Sequence, residues 1–356
     1  MVASEQSTQA AELEQVRDVL RSSYYREIQP DVLARPTISG ILAALKDPYT
    51  EYLSPDNYRQ LQDSLDEQYF GVGLSVTTAD NGLMVTASLR GPARAAGIRP
   101  GDIIIRINGR PARALGLDGA LALIADGEEG SVLDLTVRRP GTHKSIRFSV
   151  VRRNIPLPVV RAHMIHTHGH RIGYIRLFSF GKDAATRVGD VTSRLDKAGA
   201  EGIVLDLRGN PGGLLTQAVD VASLYLRHGV ICSTQGANTP RHVYTATGDV
   251  IDAKRPLVVL VDEHTASAAE IVAAALRDHR RAKIVGVRTY GKATVQAVMP
   301  LLDGGALRLT TATYETASGA YIGGAGVRPD IKTEDDPVTP RDEAMLVAEK
   351  ALLPRL

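Results

Sequence analysis

The chain of 356 residues contains no tryptophan and a single cysteine, Cys232. One cysteine excludes an internal disulfide and a cysteine-based zinc site. Aromatic residues make up 4%, which leaves few platforms on which nucleic-acid bases could stack. No run of about 18 apolar residues occurs, so no membrane span is expected. An excess of one charge is missing as well. Lys and Arg number 42 against 40 Asp and Glu, a net +2 that argues for neither a nucleic-acid nor a membrane surface. The N-terminus, Met-Val-Ala-Ser-Glu-Gln-Ser, shows no basic stretch followed by an apolar one, so no signal peptide is expected in this sequence. What is present is 44% hydrophobic and 23% charged residues, the balance of a folded globular chain. The length suits two or three domains.

Residues 1–69 read as an N-terminal helical arm. Ala11, Leu13, Val16, Val19 and Leu20 form one apolar stripe. A second helix near 37–46 stops at Asp47-Pro48, and a third spans 55–66 with Ser54 as N-cap and Pro55 at its first position. Such short helices have too little core of their own, so they are expected to dock on the rest of the chain or to pair with a second copy. Residues 70–152 switch to short strands at 74–77, 83–88, 102–107, 132–138 and 145–151, with a helix near 117–125. This suggests a small half-open barrel. Residues 153–335 alternate strands at 171–178, 202–207, 257–261 and 282–287 with helices at 182–198, 213–226 and 266–278. Two further strands follow, near 295–301 and 306–316. The alternation implies a layered α/β core with parallel pairs and right-handed crossovers. The tail, 336–356, is charged and ends in a short helix.

Four segments carry groups with chemical use. Gly71-Val72-Gly73-Leu74 opens the small domain, where converging backbone amides can form a nest for a carboxylate. Leu117, Leu121 and Ile124 on one helix face would floor a side-chain pocket; a tight strand bend explains the glycines equally well. Asp206-Leu207-Arg208-Gly209-Asn210-Pro211-Gly212-Gly213 joins an apolar strand to a helix. Its amides at a helix N-terminus can hold an oxyanion, or simply make a tight turn. In Glu263-His264-Thr265-Ala266-Ser267-Ala268-Ala269-Glu270-Ile271, a serine stands among small residues at a helix start, which also fits a plain cap. Thr289-Tyr290-Gly291-Lys292-Ala293-Thr294-Val295-Gln296 puts a lysine after a glycine turn. Most such lysines are solvated, but one buried beside a serine gives up its proton, and the neutral amine can then take the serine's. Gln296 falls on the same side as Lys292 in a strand and would orient the amine by a hydrogen bond. His163, His166, His168 and His170 lie close together with no Asp, Glu or Cys among them, so they read as a solvated loop or hairpin rather than a metal site.

Gly91-Pro92-Ala93-Arg94-Ala95-Ala96-Gly97-Ile98-Arg99-Pro100-Gly101-Asp102-Ile103-Ile104, followed by Ile107-Asn108-Gly109, resembles the PDZ domain of bacterial proteases. The other three segments, in this order and spacing, resemble the carboxy-terminal processing or tail-specific proteases, which are serine proteases with a Ser-Lys dyad and an inserted PDZ domain. Asp47-Pro48-Tyr49-Thr50, Tyr52-Leu53-Ser54-Pro55, Thr310-Thr311-Ala312, Thr316-Ala317-Ser318-Gly319 and Gly326-Val327-Arg328-Pro329-Asp330 extend the likeness over most of residues 35–335.

The resemblance implies an α/β, layered crotonase-like or ClpP-like protease core at 153–335, an inserted PDZ domain at 70–152, the helical arm at 1–69 and a tail helix within 336–356. It implies a serine endopeptidase that recognises protein C-termini through the PDZ domain. Ser267 would be the nucleophile, Lys292 the general base and Gln296 the lysine-orienting residue. The oxyanion hole would use the amides of Ala268 and a glycine of the turn, foremost Gly212. Gly71, Val72, Gly73 and Leu74 would bind the substrate tail. No metal or organic cofactor is implied. The partners implied are protein or peptide substrates with exposed C-termini, an activator or adaptor protein, and a second copy through the N-terminal helices; nucleic acid is not among them. The place implied is extracytoplasmic, in the periplasm or cell envelope.

Some residues depart from the family pattern. Thr265 and Ala269 replace serines around the nucleophile, and Ala293 follows Lys292 in place of glycine. Asp126 precedes Gly127 where some relatives carry a basic residue that couples the PDZ domain to the active site. A non-catalytic PDZ scaffold or pseudoprotease that only binds tails is the main alternative, and retention of both Ser267 and Lys292 argues against it. An acyl-CoA enzyme of the crotonase type is disfavoured by the PDZ segment and the Ser-Lys spacing.

Overall fold

The computed structural model describes residues 2–66, 68–142, 144–156, 159–335, 339 and 341–356. The chain forms two units, one from residues 1–59 and 158–356 and the other from residues 60–157.

In the larger unit, the strands Gly202–Asp206 and Leu257–Val261 are buried at every position. Strands covered on both faces belong inside a parallel sheet. The sheet runs in the order Val160–Thr167, His170–Leu177, Gly202–Asp206, Leu257–Val261, Ala282–Gly286, Ile331–Lys332. The first pair is an antiparallel hairpin and the rest are parallel. Successive residues sort to opposite faces. Ile203, Leu205, Leu257, Val259 and Ile284 meet the helices Ala184–Lys197, Leu215–Ser223 and Ala268–Asp278. Val204, Val258, Leu260 and Val285 meet Ala344, Met345, Ala348 and Leu352 of the helix Glu343–Leu352. The charged tail helix is therefore the cover of the sheet's second face. Asp206 ends its strand with a buried carboxylate. It accepts from Arg208 at 2.7 Å and Tyr174 Oη at 2.6 Å, and Arg208 reaches on to Asp335 and Asp342.

A second, antiparallel sheet has the order Glu51–Leu53, Ala306–Thr316, Val230–Gln235, His242–Thr245, with Thr294–Pro300 also paired to Ala306–Thr316. Three of these strands, 51–53, 230–235 and 242–245, carry no pattern that marks them in the sequence. Pairing, directly or through a neighbour, to the long strand Ala306–Thr316 makes them strands. The N-terminal arm docks beside this sheet. Val16 and Leu20 of the helix Val2–Ser23 join Tyr24, Ile41 and Leu45 against Leu301, Leu307 and Leu309.

The smaller unit holds an open antiparallel sheet, Leu74–Ala79, Gly82–Ser88, Ile103–Ile107, Val132–Arg138, Ser145–Val151. The helix Ala112–Ala125, bent at Gly116, packs on it. Asp102, 1% exposed, receives the Arg139 guanidinium at 2.8 and 2.9 Å and the Arg99 N–H at 2.9 Å. Burial alone would raise this carboxyl, but the Arg139 fork and the Arg99 amide outweigh it and hold it below the usual range. Arg152 is buried and donates to the carbonyls of Leu123 and Ile124, closing the C-terminal end of the helix beside Asp126. The short strands Gln68–Gly71 and Arg153–Pro156 pair where the chain enters and leaves.

Candidate active site

Two strand-to-helix turns lie side by side at the ends of Gly202–Asp206 and Leu257–Val261. Asn210, fully buried, stitches them together. Its carbonyl accepts Ala266 N–H at 2.9 Å, its Nδ2 donates to Leu177 O at 2.9 Å, and its Oδ1 accepts Gly212 N–H at 2.9 Å. Asp262 adds a second stitch by accepting Gly209 N–H at 2.9 Å, and the buried Thr265 hydroxyl lies 2.9 Å from Leu207 O.

These stitches hold Ser267 at φ 56 and ψ −119, directly before the helix Ala268–Asp278. A side-chain-bearing residue pays about 1–3 kcal/mol for such a conformation, so its surroundings must impose it. The gain is a half-buried serine side chain at the head of a helix. Gly212, at φ 100, packs against it: a Cβ there would stand 2.8 Å from Ser267 Cβ and 2.9 Å from Ala266 O, so only glycine fits.

Glu270 is wholly buried and takes four donors: Ser267 N–H at 2.8 Å, Lys292 N–H at 2.9 Å, Gly291 N–H at 2.7 Å and Thr289 Oγ1 at 2.5 Å. Burial pushes its carboxyl above the ordinary value, while the four donors favour the anion and pull it back. Tyr314, 1% exposed, closes the opposite side. Its Oη lies 2.8 Å from Lys292 O and 3.3 Å from Ser267 O, and its single proton serves the nearer. Glu270 thus holds the backbone N–H of both Ser267 and Lys292, and Tyr314 holds the Lys292 carbonyl.

Lys292 itself is half-buried, with Nζ 4.9 Å from the centroid of the Tyr49 ring. Burial lowers its pKa and the Arg308 guanidinium lowers it further; Asp47 and Glu270 oppose them without prevailing. The neutral amine is therefore reached at lower pH than in a free lysine. Gln296 lies beyond a slip in strand register between Val295 and Gln296, which breaks the simple alternation toward Lys292. Its Nε2 points to Thr294 Oγ1 at 2.9 Å and Thr310 Oγ1 at 3.3 Å. Among the described residues no acceptor takes the Ala268 N–H, the first of the helix, whereas that of Gly212 is held by Asn210.

In the smaller unit, Gly73 has φ 80 and Val72 is buried, and among the described residues no acceptor takes either N–H. Leu121 on the helix Ala112–Ala125 is 42% exposed, while Ile124 is in the core. His163, His166 and His170 lie on the hairpin strands and His168 at its turn, with His170 paired to Glu201 at 2.7 Å. Among the described residues no three His, Cys, Asp or Glu are gathered to hold a metal, and no helix is long and apolar enough to cross a membrane.

Glu270 stands in the third segment of the sequence with no part assigned to it, although Ser-x-x-Glu is a helix-cap signal that marks its bond to Ser267 N–H. Asn210 and Tyr49 likewise stand inside named motifs with no part of their own, and Tyr314 lies outside all of them. Tyr314 carries no local signal, since its contacts come through the fold.

The α/β core with its PDZ unit is that of a serine-type peptidase. The peptidase family S41 description matches residues 171–333, the PDZ domain description residues 85–139, and that of the "Activating protease CtpB N-terminal domain" residues 2–57. Carboxy-terminal processing protease CtpA of Bacillus subtilis (strain 168) is 34% identical over 324 residues, 90% of this chain and 68% of that protein. The carboxyl-terminal-processing protease of Picosynechococcus sp. is 39% identical over 308 residues, 86% and 74% of the two chains. Among solved structures, the photosystem II D1 C-terminal processing protease superposes with a TM-score of 0.60 at 29% identity, covering 95% of this chain and 96% of that one. An S41 protease from Bacteroides fragilis NCTC 9343 shares the fold, with a TM-score of 0.61 at 18% identity over 96% and 97% of the chains. The chain belongs to the carboxy-terminal processing proteases of peptidase family S41.

Replacing Glu270 by Gln keeps the shape but turns an NH2 group toward N–H donors, leaving some of them buried without an acceptor. Unfolding by urea should show a loss of about 2–4 kcal/mol, and turnover of the folded protein should fall at least ~10-fold. Wild-type stability and turnover would mean the carboxylate does not organise the site.

Proposed function

We propose that this protease captures the free C-terminus of a protein on its PDZ unit and cleaves the chain upstream with a Ser267–Lys292 dyad. The observation that carries this reading is the shared clamp: the Glu270 carboxylate accepts the backbone N–H of both residues, and Tyr314 adds a bond to the Lys292 carbonyl. In the proposed cycle the neutral Lys292 amine takes the Ser267 proton as Oγ attacks the scissile carbonyl. The Ala268 N–H and a turn glycine receive the oxyanion. If that glycine is Gly212, its N–H exchanges Asn210 Oδ1 for the oxyanion. The Lys292 ammonium then protonates the leaving amine, and the neutral amine activates the water that releases the acyl group. Gln296 would orient the amine by turning from Thr294 and Thr310 toward Lys292.

The Gly71–Leu74 segment is the proposed tail site, its Val72 and Gly73 amides receiving the terminal carboxylate and Leu121 meeting the last side chain. The cycle needs no metal or organic cofactor. Protein or peptide substrates are the partners it requires. An activator or adaptor, a second copy bound through the N-terminal helices, and an extracytoplasmic setting belong to the same reading. A tail-binding scaffold would need only the smaller unit; the lowered pKa of Lys292 supports catalysis.

Arg cannot act as a base in a protein. Lys292→Arg should fold and lose turnover as completely as Ser267→Ala, on an unstructured substrate with a free apolar C-terminus followed by mass spectrometry. The wild-type rate should rise with pH to a midpoint below the ordinary lysine value of 10.5, because only the neutral amine accepts a proton. Substantial turnover by Lys292→Arg would exclude the lysine base. Separately, tail peptides should bind the full Ser267→Ala chain at least ~10-fold more weakly when their C-terminus is amidated; equal affinity for acid and amide would remove the carboxylate site.

A further inference from the structure

We propose that Tyr49 is a positioning residue for Lys292, its ring face holding the ammonium that forms each time the amine takes a proton. The proposal rests on the Ser267–Lys292 reading and adds a residue from the N-terminal arm to it.

The contact is built in. Nζ stands 4.9 Å from the ring centroid, within the reach of a cation–π attraction. The ring is fixed by a turn that the fold anchors repeatedly. Asp47 Oδ1 accepts Tyr49 N–H at 3.0 Å, and Asp47 Oδ2 accepts Thr50 Oγ1 at 2.7 Å and Tyr24 Oη at 3.3 Å. Thr50, buried, accepts Thr310 N–H at 3.1 Å. The next residues, Glu51–Leu53, pair with Ala306–Thr316, where Glu51 also holds Arg308 at 2.7 Å. The charged groups acting on Lys292 come from every side: Glu270 from its helix, Asp47 from this turn and Arg308 from the long strand. Tyr314 bonds only the Lys292 carbonyl, and Tyr290 lies beside Tyr49.

A ring suits a base that must accept a proton and then give it away. It excludes water, which favours the neutral amine, yet its negative face still attracts the ammonium. It accepts no strong hydrogen bond, so the ammonium protons stay free for the leaving amine; a carboxylate in its place would pair with the ammonium and retain the proton. The Tyr49 phenol is no rival base, because burial and the Tyr290 hydroxyl push it up to about 12.

The sign follows. Ring attraction favours the protonated lysine and so raises its pKa, against the larger lowering by burial. Tyr49→Leu keeps an apolar wall and loses the attraction. The rising limb of kcat/KM should move to lower pH by about half a unit to one unit. The plateau rate should drop roughly 3- to 30-fold as the ammonium in the transition state loses its support. Tyr49→Phe should restore both. A series of fluorinated phenylalanines at position 49 weakens the ring face at nearly constant volume, and should lower limb and plateau in step even if Tyr49→Leu fails to fold. Titration of Lys292 Nζ by NMR in the Ser267→Ala background should show the same shift without turnover. Limb and titration unmoved in the Leu variant or the fluorinated series would overturn the proposal while leaving the dyad intact. Turnover by Lys292→Arg would instead overturn the dyad on which it rests.

Discussion

A carboxylate with no exposure must find donors or lose its charge. Glu270 finds donors on two separate stretches: its own helix start at Ser267, and the loop 289–292, which gives the Thr289 hydroxyl and the backbone N–H groups of Gly291 and Lys292. It thereby ties the turn after Leu257–Val261 to the loop that precedes the strand Thr294–Pro300. Tyr314, on the long strand, adds a hold on the same loop through the Lys292 carbonyl. Both act on backbone, so they set where the two side chains begin.

The strain at Ser267 is tolerable for the same reason. Its amide is committed to Glu270, Gly212 fills the space where any larger residue would collide, and Asn210 holds the adjoining turns and the strand end at Leu177 through its carbonyl and side-chain amide. Behind them the sheet is covered on one face by three helices and on the other by Glu343–Leu352. Arg208 extends that cover toward the site by joining Asp206, at a strand end, to Asp342 before the tail helix.

Much of this was legible in the sequence where structure is local. Continuous apolar runs at 202–205 and 257–261 announced central strands, and the order of the glycine turn, Ser267 and Lys292 announced a protease core. The strands of the smaller unit lay close to their expected places because glycine and proline bracket them. Where long-range pairing decides, the sequence was silent. Glu51–Leu53, Val230–Gln235 and His242–Thr245 owe their form to the sheet around Ala306–Thr316. Tyr314 lies 22 residues from Lys292 and 47 from Ser267, so no spacing rule links them. Gln296 shows the reverse limit: its spacing from Lys292 was read from an ideal strand, and the register slip before it directs its amide to two threonines.

The central claim is that the fold makes Ser267 nucleophilic through Lys292. The most direct measurement is covalent labelling of the intact chain by a peptidyl fluorophosphonate, followed over pH and mapped by mass spectrometry. The account predicts a single modified residue, Ser267, a labelling rate that rises with pH to a midpoint below that of free lysine, and no labelling in Lys292→Arg. Labelling elsewhere, or undiminished labelling of Ser267 in that variant, would contradict it.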